Sequence, residues 1–367
     1  MSVGATGRST ASRRPAGGGV IVLGPHLDAR GGISAVLRTH SQMPFWKVYR
    51  CHLVPTVGLQ RSIGARALAV LRALVSLVVA MPSARLVHIH TASRRSFYRK
   101  SPFVAMAYLW GKPVVLHVHG PAFPLFFRSS IGPLRWYIRW ILSLAKAVVA
   151  VSTANARELQ RCFPNIEMQT VPNPYEPLPV TMERSGTPPT ILFAGRIDPE
   201  KGLLDLIHAF AEVMRRISDV RLIVAGDGVQ AAEAMQLAKT LGIVHAVDFL
   251  GWVAGPELAA SFASASVFCL PSYCDAMPMA LLAAMAARIS VVATPVGGIP
   301  ELIQSEINGL LVSPGDVEAL SGALVRMLTD PALRERLSAC AFDRAQLNSP
   351  SHVNDLVCCL YASILPD

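Results

Sequence analysis

Short aliphatic and β-branched runs alternate along the chain with longer stretches of helical period. They read "VIVLG", "LVHIH", "PVVLHVHG" and "AVVAVS" in the first half, then "TILFAG", "VRLIVAG", "VDFLG", "SVFCL" and "SVVAT" in the second. Apolar runs without polar alternation suit strands covered on both faces, and their alternation with helices predicts parallel α/β sheets. Between the two series lies "VPNPYEPLPVTMERSGTPPT", residues 171–190, whose six prolines and single glycine make it a poor helix or central strand and a good linker. Helical patterns close the chain over residues 316–329, 331–346 and 351–364, and the last is expected to pack back across the domain junction.

The pattern divides the 367 residues into a small, polar, basic tail (1–18), a first Rossmann-like domain (19–175), a linker (176–190), a second Rossmann-like domain (191–348) and a crossover helix (349–367). The apolar run "ALVSLVVAMPSA" is bounded by Arg72 and Arg85, well short of the roughly 18 to 20 residues a membrane span needs. No transmembrane helix or secretory leader is expected. Seven cysteines without a C-x-x-C pair make a poor disulfide framework, which points to a reducing cytoplasm.

Charge changes this picture. Residues 1–185 carry 23 Lys and Arg against 5 Asp and Glu, whereas residues 186–367 carry 11 against 19. The first half is therefore expected to meet an anionic surface or ligand. In "RSSIGPLRWYIRWILSLAKA", Arg135, Arg139 and Lys146 fall on one helical stripe beside Trp136, Tyr137 and Trp140, residue types that settle at lipid headgroups. The run "SRRSFYRK", residues 93–100, has no nucleic-acid fold signature around it, so membrane or lipid diphosphate is favoured over nucleic acid.

The clearest chemistry lies in "ILFAGRIDPEKGLLDLIHAF", residues 191–210: a strand, a loop in which Gly195 and Gly202 frame Arg196 and Lys201, then an amphipathic helix. Close backbone approach, free helix N–H groups and two cations suit a diphosphate. Here the chain resembles the retaining GT-B glycosyltransferases, a resemblance that runs from residue 20 to about 348. Further matching tracts follow in order: "VAGDG", "VDFLGWV", "LPSYCDAMP", "VGGIPELI" and "NGLLVSPGD".

The resemblance implies a GT-B fold, with two Rossmann-like domains whose parallel sheets face each other across a cleft. It implies that Arg196 and Lys201 grip the donor diphosphate, that Asp275 reads a hydroxyl of the transferred sugar, and that His119, the second histidine of "HVHG", bonds the same sugar. By the same resemblance the backbone at Trp252 and Val253 receives the nucleobase. Gly226 and the segment Ala276, Met277, Pro278, Met279 and Ala280 line the sugar and phosphate, Gly31 and Gly32 approach from the first domain, and Gly297 and Gly298 only shape a loop. No metal and no organic cofactor is expected, the donor being a UDP- or GDP-sugar and no D-x-D pair being present.

The histidine pairs His88/His90 and His117/His119 each point to one strand face, a spacing that could also ligate a metal. With no acid beside them, His88 and His90 are read instead as strand-end histidines with satisfied N–H groups. The expected function is transfer of a hexose to a lipid-linked saccharide, at the inner face of the plasma membrane, in exopolysaccharide or lipopolysaccharide assembly. One departure weakens the match: the family has a second acid eight positions after the first, and here that position is Ala283. Arg288 and Ser290 stand nearby where Gly and Pro are common. A member that binds nucleotide sugar or a partner without efficient transfer, or a GT-B-fold sugar-nucleotide epimerase, are the alternatives.

Overall fold

A computed structural model describes residues 18–57, 63–178 and 188–365. The basic tail and part of the linker lie outside the described residues. Six parallel strands form the first sheet: β1 (Gly19–Pro25), β2 (His52–Val57), β3 (Ala84–Thr91), β4 (Val114–Val118), β5 (Ala147–Ala150) and β6 (Met168–Thr170), in the order β2-β1-β3-β4-β5-β6. The second contains β7 (Thr190–Ala194), β8 (Arg221–Ala225), β9 (Val247–Gly251), β10 (Val267–Leu270), β11 (Ser290–Ala293) and β12 (Leu310–Leu311), in the order β12-β11-β10-β7-β8-β9.

The central strands β4, β5, β7, β10 and β11 are buried at every position, which explains their largely apolar sequences. Strands β2, β6 and β12, absent from the expectation, lie at sheet edges where short, partly polar segments suffice. Chain order reverses between β1 and β3 in the first sheet and between β7 and β10 in the second. In open parallel sheets such reversals open a crevice at the carboxyl ends of the strands, where ligands bind.

Two chain crossings join the domains. The segment after β6 runs beside the turn at Gln346–Asn348: the Tyr175 N–H donates to the Asn348 carbonyl at 2.9 Å, and Asn348 Nδ2 donates to the Asn173 carbonyl at 2.8 Å. The terminal helix, Pro350–Ile364, then lies on the first sheet, where Val353, Val357, Leu360 and Tyr361 pack with Val20, Val22, Leu86 and Val115. No helix among the described residues is long and apolar enough to cross a membrane.

Candidate functional site

The loop after β7 takes its shape from two close approaches. Gly202 has φ 69°, a left-handed conformation, and a Cβ there would overlap the Pro271 carbonyl oxygen after β10. This packing draws the two strand ends at the reversal together, and it sets Lys201 beside Asp275. Their side chains, only 17% and 11% exposed, form an ion pair. Arg196 is more open, and its guanidinium is held by Asp198 at 2.6 Å and Glu200 at 2.9 Å. Thus both expected diphosphate cations lie in one loop, with Asp275 across it. Asp275 is no helix cap, since the following helix, Met279–Ala286, is capped by Pro278 in extended conformation without a side-chain bond.

That helix has no acid in its first turn, and its first main-chain donor to find a carbonyl is the Leu282 N–H, on Pro278. The N–H groups of Met279, Ala280 and Leu281 therefore have no partner within the helix, an arrangement that favours an anion. Opposite it, helix Gly32–Gln42 likewise begins without a side-chain cap or a first-turn acid, and the two helices lie against each other across the cleft. A Cβ on Gly31 or Gly32 would meet nothing within 4 Å, so these glycines leave open space rather than relieve crowding in the protein.

Other expected residues are distributed around this centre. Trp252 and buried Val253 follow β9, and the Arg30 guanidinium sits over the Trp252 ring at 5.5 Å while bonding Asp227 at 2.7 Å. Arg30, just before Gly31, is thus a first-domain contact to the second domain at Trp252 and Asp227. Its motif was visible in sequence, but its reach across the cleft was not. Gly226 packs against the Gly195 carbonyl oxygen, and Gly297 (φ 55°) against that of Asp275, so both hold loops together. The Met277 carbonyl accepts Asn173 Nδ2 at 2.9 Å, which ties it to the domain crossing. Ala276 and Pro278 are buried beside it.

His119 stands at the end of β4, partly exposed, with its N–H donated to the Thr91 carbonyl at 2.8 Å and its Nε2 2.8 Å from His90 Nδ1. Burial and then the neighbouring His117 push its pKa well below the ordinary value, so it is neutral. His88 and His90 each have one ring nitrogen in a hydrogen bond, His88 Nδ1 to the Tyr361 hydroxyl and His90 Nδ1 to His119, so the satisfied picture holds for one nitrogen of each ring only. Both rings are 1% exposed within β3, and Nε2 of each is buried without a hydrogen-bond partner. The cause is register: β3 and β4 align His90 with His117, which puts the rings beneath two helices.

Arg288 packs against helix Pro331–Ala345. It has φ 55°, the left-handed conformation that explains a glycine at this position, and its guanidinium lies 3.9 Å over the Phe342 ring. Ser290 donates to the Arg334 carbonyl at 3.0 Å. Both are therefore occupied in packing against helix Pro331–Ala345. Ala283 is 7% exposed in helix Met279–Ala286, which holds no charged residue. The supposed lipid-facing stripe is also rearranged. Trp136 and Trp140 stack on the surface at 6.1 Å, but Tyr137 turns inward to Ser101 at 2.7 Å, and Lys146 lies beyond the helix Gly132–Ser143.

Comparison with known proteins agrees with the fold. Residues 179–344 match the family described as Glycosyl transferases group 1, and residues 19–177 match Glycosyltransferase Family 4. An uncharacterised glycosyltransferase of Methanocaldococcus jannaschii is 37% identical over 145 residues, 40% of this chain and 37% of its own length. The D-inositol 3-phosphate glycosyltransferase of Kribbella flavida is 35% identical over 165 residues, 42% of this chain and 39% of its own length. The chain thus spans well under half the length of these relatives. Among solved structures, Anabaena HepE in complex with UDP and glucose superposes with TM-score 0.76 at 18% identity, covering 94% of this chain and 100% of that one. A sucrose-phosphate synthase from Thermosynechococcus elongatus gives TM-score 0.75 at 19% identity, covering 95% and 99%. Two parallel six-stranded sheets with opposed reversal points, matched in halves by these two families, place the chain among the GT-B glycosyltransferases, group 1 in its second domain and family 4-like in its first.

Proposed function

We propose that the protein transfers a hexose from a UDP- or GDP-sugar to a lipid-linked saccharide, with retention at the anomeric carbon. The observation that carries this reading is the loop that holds Arg196 and Lys201 with Asp275 across it, beside the uncapped, acid-free helix Met279–Ala286, which a first-domain helix of the same kind, Gly32–Gln42, lies against. Such a site is complementary to a diphosphate with a sugar attached. As the bond to the sugar breaks, negative charge grows on the departing nucleotide. Arg196, Lys201 and the Met279 helix N-terminus are positioned to stabilise it, while the leaving phosphate takes the acceptor proton on the same face. The protein then contributes orientation and charge, and no side chain has to act as a base.

Asp275 has the carboxylate to hold a sugar hydroxyl once the donor competes for Lys201, and neutral His119 can bond another. The lipid-linked acceptor and an anionic membrane are suggested by the surface of the basic domain. Trp136 is 67% exposed, and Leu71, Val75 and Val79 stand out from helix Ile63–Ala80 beside Arg72. Bacterial surface-polysaccharide assembly is the setting that joins these features.

Ala283 favours a second reading, a member that binds donor but transfers slowly, because alanine cannot accept hydroxyl hydrogen bonds from a ribose. Purified protein incubated with UDP- and GDP-sugars and acceptor membranes separates the two: transfer supports the first, and thermal stabilisation without transfer the second. In the first case Arg196→Ala should lower turnover by about tenfold or more. Unchanged turnover would remove Arg196 from the site.

A further inference from the structure

We infer that His88, His90 and His117 form a binding site for one divalent transition-metal ion of the zinc class, buried between the first sheet and the terminal helix. His88 and His90 alternate on β3, and His117 is the register partner of His90 on β4, so all three rings occupy the sheet face beneath helices Gly32–Gln42 and Pro350–Ile364. One ring nitrogen from each lies within 4.8 Å of the other two, and each residue is 1% exposed.

The hydrogen bonds divide ligating from supporting nitrogens. His88 Nδ1 is 2.7 Å from the Tyr361 hydroxyl and His90 Nδ1 is 2.8 Å from His119 Nε2, whereas Nε2 of both is buried without a partner. Neither nitrogen of His117 makes a well-formed hydrogen bond among the described residues, although the Val171 backbone stands close enough to favour its protonated form. A metal-bound histidine gives one lone pair to the ion and holds its ring through the other nitrogen, which is the division His88 and His90 display. Natural interiors avoid such groups of buried nitrogens without well-formed hydrogen bonds.

Three imidazoles without a carboxylate or carbonyl select zinc, cobalt, nickel or copper over magnesium or calcium. Burial keeps the rings neutral, the form that binds metal; His117 is lowered to about 3. The rings now stack with centroids 4.3 to 5.4 Å apart, and rotation about the broad ring torsions brings the lone pairs together. His40, whose Nε2 is also unpartnered and whose ring is 5.8 Å from that of His90, can supply the fourth position. Because Tyr361 belongs to the terminal helix, an ion here would fasten that helix to the acceptor domain. Through the His90–His119 bond the ion would adjoin the histidine proposed to hold the donor sugar, but its binding does not require the transfer reaction.

The test is titration of full-length, chelator-treated protein with Co²⁺ and Zn²⁺, read by the visible absorption of tetrahedral cobalt, by bound metal per chain and by melting temperature. The expected result is one ion per chain, a rise in melting temperature and a cobalt spectrum of nitrogen ligation. His117→Gln and His88→Gln should each abolish it, and Tyr361→Phe should weaken binding about 10- to 100-fold. No saturable uptake by the folded wild type overturns the proposal. So does a thiolate charge-transfer band, which assigns the ion to cysteine, or uptake unchanged in either glutamine variant. The wild-type spectrum decides the matter even if a variant does not fold.

Discussion

Acid should unfold the first domain early, because His40, His88, His90 and His117 are buried and neutral. Burial is the leading cause in each: it lowers His40 to about 4 and His117 to about 3, and it holds His88 and His90 well below the ordinary 6.5. In the unfolded chain each titrates near 6.5, so below that pH the unfolded state binds protons that the folded state refuses. Stability is therefore complete above about pH 6.5 and falls as pH decreases toward the folded values. At pH 5 His40 and His117 each withdraw roughly 2 kcal/mol, about 4 kcal/mol together, and His88 and His90 act in the same direction. That is a large share of the stability of a typical domain, about 5–15 kcal/mol. The assay is urea unfolding in chelator from pH 7.5 to 5, followed by tryptophan fluorescence. Four of the five tryptophans, at positions 46, 110, 136 and 140, report the first domain. His117→Leu should reduce the pH slope by about one proton, near 1.4 kcal/mol per pH unit. A urea midpoint that is flat across this range, or a slope unchanged by the substitution, would refute the reasoning.

Three further outcomes are expected. Ala283→Glu should tighten UDP- or GDP-sugar binding at least tenfold in calorimetry, since regained ribose bonds to a charged acceptor contribute about 1.5–3 kcal/mol; unchanged affinity would mean the ribose is held elsewhere. Arg288→Gly should leave thermal stability within about 0.5 kcal/mol, because relief of roughly 1 kcal/mol of left-handed backbone cost offsets a stacking loss of similar size. A loss above about 2 kcal/mol in the melt would contradict that balance. Glu301 accepts from the Thr153 and Ala154 N–H groups across the domain boundary, capping helix Thr153–Cys162. Glu301→Ala should cost about 1 kcal/mol and broaden the distribution of domain orientations in small-angle scattering; an unchanged midpoint and scattering profile would count against the cap.

Much of the fold was legible because it rests on local patterns. The buried central strands declare themselves by continuous apolar runs, and the helices at Val317–Thr329 and Pro331–Ala345 by their period; the structure adds that Asp316 and Asp330 cap them. Edge strands such as Met168–Thr170 escaped notice because half-buried pairing leaves no strong pattern in three residues. The loop that holds Arg196 and Lys201 was legible for the same local reason: strand, glycine, cations and helix lie within one short segment. Arg30 on Trp252, the Lys201–Asp275 pair and the Glu301 cap join residues 222, 74 and about 150 positions apart, and no window along the chain contains them.

What the sequence determined by itself was the central strands, the closing helices and their parallel arrangement in two units, since these follow from hydrophobic period and from residue types set close together. The tertiary structure alone decided which of those groups meet. It turned Arg288 away onto Phe342, where a glycine-like backbone conformation points its side chain. Strand register and two covering helices likewise gathered four histidines from β3, β4 and helix Gly32–Gln42 into one dry cluster. The reason is physical: period selects which face of an element is buried, but only packing and register determine what that face is buried against.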